Sequence, residues 1–234
     1  DTELVVLTNP HNPSGAVLTS ERLTQLAEIA ATHGTLLLID EIYADFALSA
    51  SPQHATSLAD NIITVNSLTK VYGLFSLRCG WIVASPANIA RIEGANAAVE
   101  FGVSKLTHAV AAHVLDDIQS FAAHWRTVLA ATRPIMERHG ARMQADDLIA
   151  GALPAHGCMH FPRIVGHTDT RSLARRLWSD FGLLVAPGEF FAAPGHVRLG
   201  FADNTADLDE GLARLHDALL KLRTARISPK RAAL

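Results

Sequence analysis

Ser67-Leu68-Thr69-Lys70-Val71-Tyr72-Gly73-Leu74-Phe75-Ser76-Leu77-Arg78-Cys79-Gly80-Trp81 is the stretch on which the reading of this chain turns. It begins as a polar turn between two apolar, strand-like runs, Ile62 to Val65 and Trp81 to Ala84, and it holds Lys70, one of four lysines (with Lys105, Lys221 and Lys230) against sixteen arginines. A lysine amine becomes a useful nucleophile when burial or a neighbouring cation disfavours its charge, and it then condenses with a carbonyl to form a Schiff base. Arg78 can supply that cation while also gripping a phosphate. Taken alone, Lys70 reads equally as a solvated loop lysine. Its significance rests on the company it keeps.

Three further segments supply that company. Leu4-Val5-Val6-Leu7 is strand-like and runs directly into the rigid turn Asn9-Pro10-His11-Asn12-Pro13-Ser14-Gly15. Leu36-Leu37-Leu38-Ile39 is too short an apolar run for a helix and delivers Asp40-Glu41-Ile42-Tyr43 at its carboxyl end. Val197-Arg198-Leu199-Gly200-Phe201 sets one arginine in an otherwise apolar strand. In order and spacing, these elements together with Lys70 and Arg78 resemble the class I/II aminotransferases, within the fold type I pyridoxal phosphate enzymes.

The resemblance implies a role for each residue, and the chemistry of the cofactor explains the residue type. The pyridine ring acts as an electron sink only while its nitrogen stays protonated, which requires a buried carboxylate partner, the place of Asp40. Read by itself, Asp40 is also a cap for a following helix. Tyr43 and Asn12 match the residues that donate hydrogen bonds to the cofactor's phenolic oxygen; in isolation they read as a packing aromatic and a turn residue. Ser67 and Arg78 match two phosphate ligands, and an arginine fork suits phosphate oxygens. Arg198 matches the residue that pairs with a substrate α-carboxylate, a charge-assisted contact of roughly 1.5–3 kcal/mol. Without the other motifs it is a snorkelling strand arginine. Pro187-Gly188-Glu189-Phe190-Phe191, followed by Pro194-Gly195, resembles the loop bordering the same pocket.

Relatives also bind the phosphate at a small-residue turn opening a helix and stack an aromatic on the cofactor ring. Both lie before the strand with which this chain begins. The sequence is therefore expected to be the carboxyl-terminal portion of a longer polypeptide, or to be completed by another one, with its first strand otherwise an exposed sheet edge.

Composition excludes several classes. Hydrophobic residues make up 49% and charged ones 18%, with no run of eighteen apolar residues and no basic-then-apolar amino terminus, so neither a membrane span nor a signal peptide is expected and the setting reads as cytoplasmic. Cys79 and Cys158 are too few for a disulfide framework or a zinc site and read as free thiols. The net charge of -3 gives no reason to expect nucleic acid. Arg226, Lys230 and Arg231 make a locally basic tail, read as solvated and frayed. The twelve histidines show no metal-binding spacing, His108 and His113 being five apart, so no metal is expected.

Alternation of strand-like and helix-like runs argues for an α/β fold with a mostly parallel sheet flanked by helices, as in the large domain of fold type I enzymes with its amino-terminal part absent, plus a smaller α+β carboxyl-terminal domain. Strands are expected near Glu3–Thr8, Thr35–Ile39, Ile62–Asn66 and Gly80–Ala84. A helix is expected from Ser20, as N-cap, to His33, with Gly34 ending it. From about Ala87 to His139 the chain reads as mainly helical, with an apolar stripe through Leu106, Val110, His113 and Val114. Short strands then surround a helix from Thr170 to Phe181, and a last helix covers about Ala206 to Arg223. The domain boundary is set at 137/138, giving a cofactor-binding part (1–137) and a small domain (138–234). Each candidate residue of the first part falls at or just after a strand's carboxyl end, where open α/β sheets bind ligands.

The resemblance implies a pyridoxal phosphate-dependent aminotransferase, moving an amino group between an α-amino acid and a 2-oxo acid in a homodimer. Lys70 would carry the cofactor and then act as general base. A carbon–sulfur (β-eliminating) lyase with the same site, or an aminotransferase-like ligand-sensing domain of a transcription regulator, are the alternative readings.

Overall fold

Helix α1 (Ser20–Thr32) forms where Leu23, Ala27 and Ala30 recur at helical spacing, and all three are buried. Its N-cap is Thr19, whose hydroxyl accepts the Arg22 N–H at 3.3 Å, one residue before the expected Ser20. Gly34, at φ 66°, stops the helix. The stripe packs on one face of a four-stranded sheet, ordered β1 (Leu4–Thr8), β2 (Leu36–Asp40), β3 (Ile62–Ser67) and β4 (Gly80–Val83). The first three strands run parallel, with Thr8 opposite Asp40 and Asp40 opposite Val65. β4 is antiparallel to β3, with Trp81 opposite Asn66 and Gly80 opposite Ser67. The Leu68–Cys79 connection, with one 3₁₀ turn at Phe75–Leu77, contains no crossover helix. A return without such a crossover leaves β4 antiparallel.

The structure, a computed structural model, describes residues 2–47, 54–99, 102 and 104–227. Lys230 and Arg231 of the basic tail lie outside the described residues, as does the side chain of Arg226. Contacts divide the chain into two units, Asp1–Asn12 with Ala16–Arg126, and Pro13–Gly15 with Thr127–Leu234. The division near residue 126 and the expected boundary at 137/138 both fall inside helix α4 (Ile118–Ala145).

The first unit also holds α2 (Pro86–Asn96) and α3 (Lys105–Asp116). Of the apolar stripe expected on α3, Val114 is buried, beside Ala111 and Leu68, while Leu106 is 75% and Val110 40% exposed. β1 and β4 are the outer strands of the described sheet, and Val6 of β1 is 60% exposed.

In the second unit, α4 runs through Gly140 to Ala145, past the expected end of the helical region. A helical glycine costs about 1 kcal/mol relative to alanine, and the complete burial of Met136 and Met143 on either side of Gly140 offsets it. Beyond it come β5 (Ile149–Ala150), β6 (Met159–His160), β7 (Arg163–Ile164), α5 (Thr170–Phe181), β8 (Ala186–Pro187), β9 (Val197–Gly200) and α6 (Thr205–Ile227). β5 pairs with β7, and β9 lies between β6 and β8, all antiparallel. One apolar core, including Leu173, Leu177, Phe201 and Leu219, joins these helices to β9. Among the described residues no helix is long and apolar enough to cross a membrane, and no cluster of His, Cys, Asp or Glu could hold a metal ion.

Candidate active site

One edge of the β1–β4 sheet gathers the candidate residues of the first unit. Asn12 follows β1, Asp40 ends β2, Ser67 ends β3, and Lys70 and Arg78 lie in the β3–β4 connection, which returns to the same edge because β4 is antiparallel. Side chains alternate across a strand, so Asp40 shares a sheet face with Thr8, Val65 and Ser67.

Each position is fixed by short-range bonds. The Asn12 turn is fastened by Asn9, which is buried: its Nδ2 donates to the Leu18 carbonyl at 3.1 Å and its Oδ1 accepts the Leu18 N–H at 2.9 Å. The Asn12 N–H donates to Thr8 Oγ1 at 3.3 Å, and His11 N–H to the Ala16 carbonyl at 2.7 Å. Half-buried Asp40 accepts the Ile42 N–H on Oδ1 at 2.9 Å, an Asx turn in place of the cap on a longer helix, since only a 3₁₀ turn (Ala44–Ala47) follows. Tyr43 stacks on Phe46 at 6.1 Å, and Phe46 meets Trp125 edge-on at 4.8 Å. Ser67 Oγ accepts the Thr69 N–H at 3.0 Å, shaping the turn into Lys70.

Lys70 and Arg78 are both exposed, and both stand over the ring of Phe75, at 5.9 Å and 5.3 Å from its centroid. A ring face attracts a cation through its quadrupole, so Phe75 is a contact common to both side chains. Arg78 has φ 52°, a left-handed conformation costly for a side chain of this size. Phe75 is 61% exposed and is a residue that sequence reasoning missed; its signal was its place midway between the two cations.

Arg198 lies on β9 of the second unit, opposite Ala186. Its guanidinium stands 5.0 Å from the centre of Phe191, which Phe161 meets edge-on at 5.6 Å. Phe191 belongs to a 3₁₀ turn, Gly188–Phe191, that admits no side chain at its start: a Cβ on Gly188 would collide with the Ala193 and His196 carbonyl oxygens. Glu189 anchors this turn to the head of α5, accepting the Thr170 N–H at 2.8 Å and the Thr170 hydroxyl at 2.7 Å. Desolvation works against the Glu189 charge, yet the Thr170 hydroxyl and the backbone donors outweigh it and hold the carboxyl below its ordinary range.

A cavity of about 420 Å³ in the first unit is lined by Thr64, Asn66, Trp81 and Val83, which alternate with Val65, Ser67 and Ile82 and so face away from Asp40. The candidate residues lie outside it.

Comparison with known proteins fits this arrangement. The family described as aminotransferase class I and II matches residues 1–215. The chain belongs to that family. It is 30% identical over 225 residues to the capreomycidine synthase of Streptomyces vinaceus, covering 93% of this chain and 56% of that protein. It is 29% identical over 231 residues to an aspartate aminotransferase of Streptomyces avermitilis, covering 94% of this chain and 57% of that one. Among solved structures, a PLP-dependent aminotransferase from Streptococcus suis superposes with a TM-score of 0.87 at 28% identity, over 94% of this chain and 58% of the other. The chain thus spans a little over half the length of the relatives it matches.

Proposed function

We propose that the protein is a pyridoxal phosphate-dependent aminotransferase, moving an amino group between an α-amino acid and a 2-oxo acid. What carries the reading is the gathering of Asn12, Asp40, Ser67, Lys70 and Arg78 at one sheet edge in a member of this family. The donor set suits the cofactor's charges: a half-buried carboxylate for a protonated ring nitrogen, a hydroxyl and an arginine for a phosphate, and an amine beside a second cation for an aldehyde. When bound, pyridoxal phosphate supplies an electron sink for the charge left at the substrate α-carbon.

The chain's own groups then divide the work. Lys70 would hold the cofactor through its aldehyde group, and its Nζ would take up the substrate α-proton. Asp40 would keep the ring nitrogen protonated, with Tyr43 and Asn12 as donors for the phenolic oxygen. Ser67 and Arg78 would hold the phosphate, and Arg198 would pair with the substrate α-carboxylate. Residues 1–137 serve as the cofactor-binding part and 138–234 as the small domain. The working form is a cytoplasmic homodimer acting on small molecules.

The alternative reading is a different outcome at the same site, β-elimination by a carbon–sulfur lyase, since one fold supports several fates for the same carbanion. The protein expressed from its full reading frame separates the readings. Amino transfer that requires an added 2-oxo acid supports the proposal, and release of pyruvate and ammonia without one refutes it.

A further inference from the structure

We propose that Tyr72 and Asp45 are a positioning pair that braces the Lys70 loop against the Tyr43 turn, setting how Lys70 and Tyr43 present to the cofactor; the inference rests on the function proposed above. The two residues hold matching places, Tyr72 two after Lys70 and Asp45 two after Tyr43. Tyr72 OH donates to Asp45 Oδ2 at 2.6 Å across 27 residues of sequence, in the range of charge-assisted O–H···O⁻ bonds, which are about twice as strong as neutral ones.

Each partner is held independently. The Tyr72 ring packs against the buried cluster of Leu68, Ala111 and Val114, and Asp45 sits in the 3₁₀ turn whose Phe46 lies between Tyr43 and Trp125. The bond therefore links two loops that each leave the sheet on a different strand. Burial first, then the hydrogen bond and the charge of Asp45, push the Tyr72 phenol well above its ordinary pKa, with Arg126 opposing. It stays a donor through any pH at which the enzyme is assayed. Both side chains line the cavity on the face away from Asp40, so they act through the loops they join and not on the reacting atoms.

The test uses the protein from its full reading frame, loaded with pyridoxal phosphate. In Tyr72→Phe, kcat should fall about three- to tenfold with the amino acid KM changed less than about twofold, the scale of one hydrogen bond lost from positioning and not from binding. The pH midpoint of the bound cofactor's absorbance should also rise, because a loosened Tyr43 donates less well to the phenolic oxygen and favours its anionic form less. Asp45→Asn keeps an acceptor and should retain more activity than Asp45→Ala, and the double variant Tyr72→Phe with Asp45→Ala should be no worse than the poorer single. Tyr43→Phe is measured alongside. If it moves the midpoint while Tyr72→Phe changes neither midpoint nor kcat, and only melting temperature drops, the pair is merely structural and the proposal is wrong. If Tyr43→Phe itself leaves the midpoint in place, the role given to Tyr43 fails first and takes this inference with it.

Discussion

The sheet edge of the first unit and the α4–α6 contact of the second use polar side chains in different ways. At the sheet edge of the first, side-chain oxygens are bonded to nearby backbone, as Asp40 to Ile42 and Ser67 to Thr69, while Lys70 and Arg78 stand exposed over Phe75. In the α4–α6 contact of the second, side chains bond to each other across helices. His139 of α4 lies 2.5 Å from Asp209 of α6, and Asp146, just after α4, lies 2.6 Å from His216 of α6, with both histidines buried. One arrangement leaves two cations exposed at the sheet edge; the other clasps α4 to α6. In the second unit Arg198, on the strand at the centre of its sheet, sits over the ring of Phe191, as Arg171 does over Phe190.

The largest effect should come from the first unit. Asp40→Asn is expected to fold and bind cofactor but lose about 10²- to 10³-fold in kcat, the scale seen when one preorganised electrostatic partner is removed. Near-normal turnover would reduce Asp40 to its Asx turn. Arg198→Ala should raise the amino acid KM about ten- to a hundredfold with a smaller change in kcat, as expected for loss of one charge-assisted pair. If amines lacking a carboxylate serve equally well before and after the change, Arg198 is not the substrate handle.

The clasp makes a different kind of prediction, one of stability. His216→Ala should cost about 2–4 kcal/mol in urea unfolding, combining a cavity with the loss of a buried partner for Asp146. A loss below half of that would show the clasp is not what holds α6. The exposed member gives a pH signature: the bond from His139 first, then Arg138, holds the Asp209 carboxyl below its ordinary range. A depressed carboxylate contributes stability that is complete above the unfolded value of about 3.9 and is lost as pH falls through the folded one. Acid unfolding should therefore be less steep in Asp209→Asn than in the parent.

The smallest change is expected at Ala192, a non-glycine residue at φ 53° that ends the Gly188–Phe191 turn. Ala192→Gly should stabilise by about 0.5–1 kcal/mol, the left-handed cost of a Cβ less the extra entropy of glycine. A destabilised variant would mean the methyl group packs.

The strands were legible because short apolar runs end in polar turns, and the candidate residues because their spacing matches a known family. The antiparallel direction of β4 was not, since it depends on the missing crossover between Leu68 and Cys79, which no hydrophobic period reports. Nor was the exposed face of α3, where Leu106 and Val110 fit a helical stripe with Val114 in sequence but Val114 meets the core beside Ala111. The helical region was expected to end at about His139, whereas α4 continues through Gly140 because local propensity is weak beside the burial of Met136 and Met143. The Tyr72–Asp45 bond joins residues too far apart in sequence for any pattern to pair them.

The central claim is that Lys70 is the amine that holds the cofactor. Borohydride reduction of the cofactor-loaded protein from its full reading frame, followed by peptide mapping, tests it most directly. The account predicts a pyridoxyl adduct on the peptide containing Lys70; an adduct on Lys105, or on any other lysine with Lys70 unmodified, would contradict it.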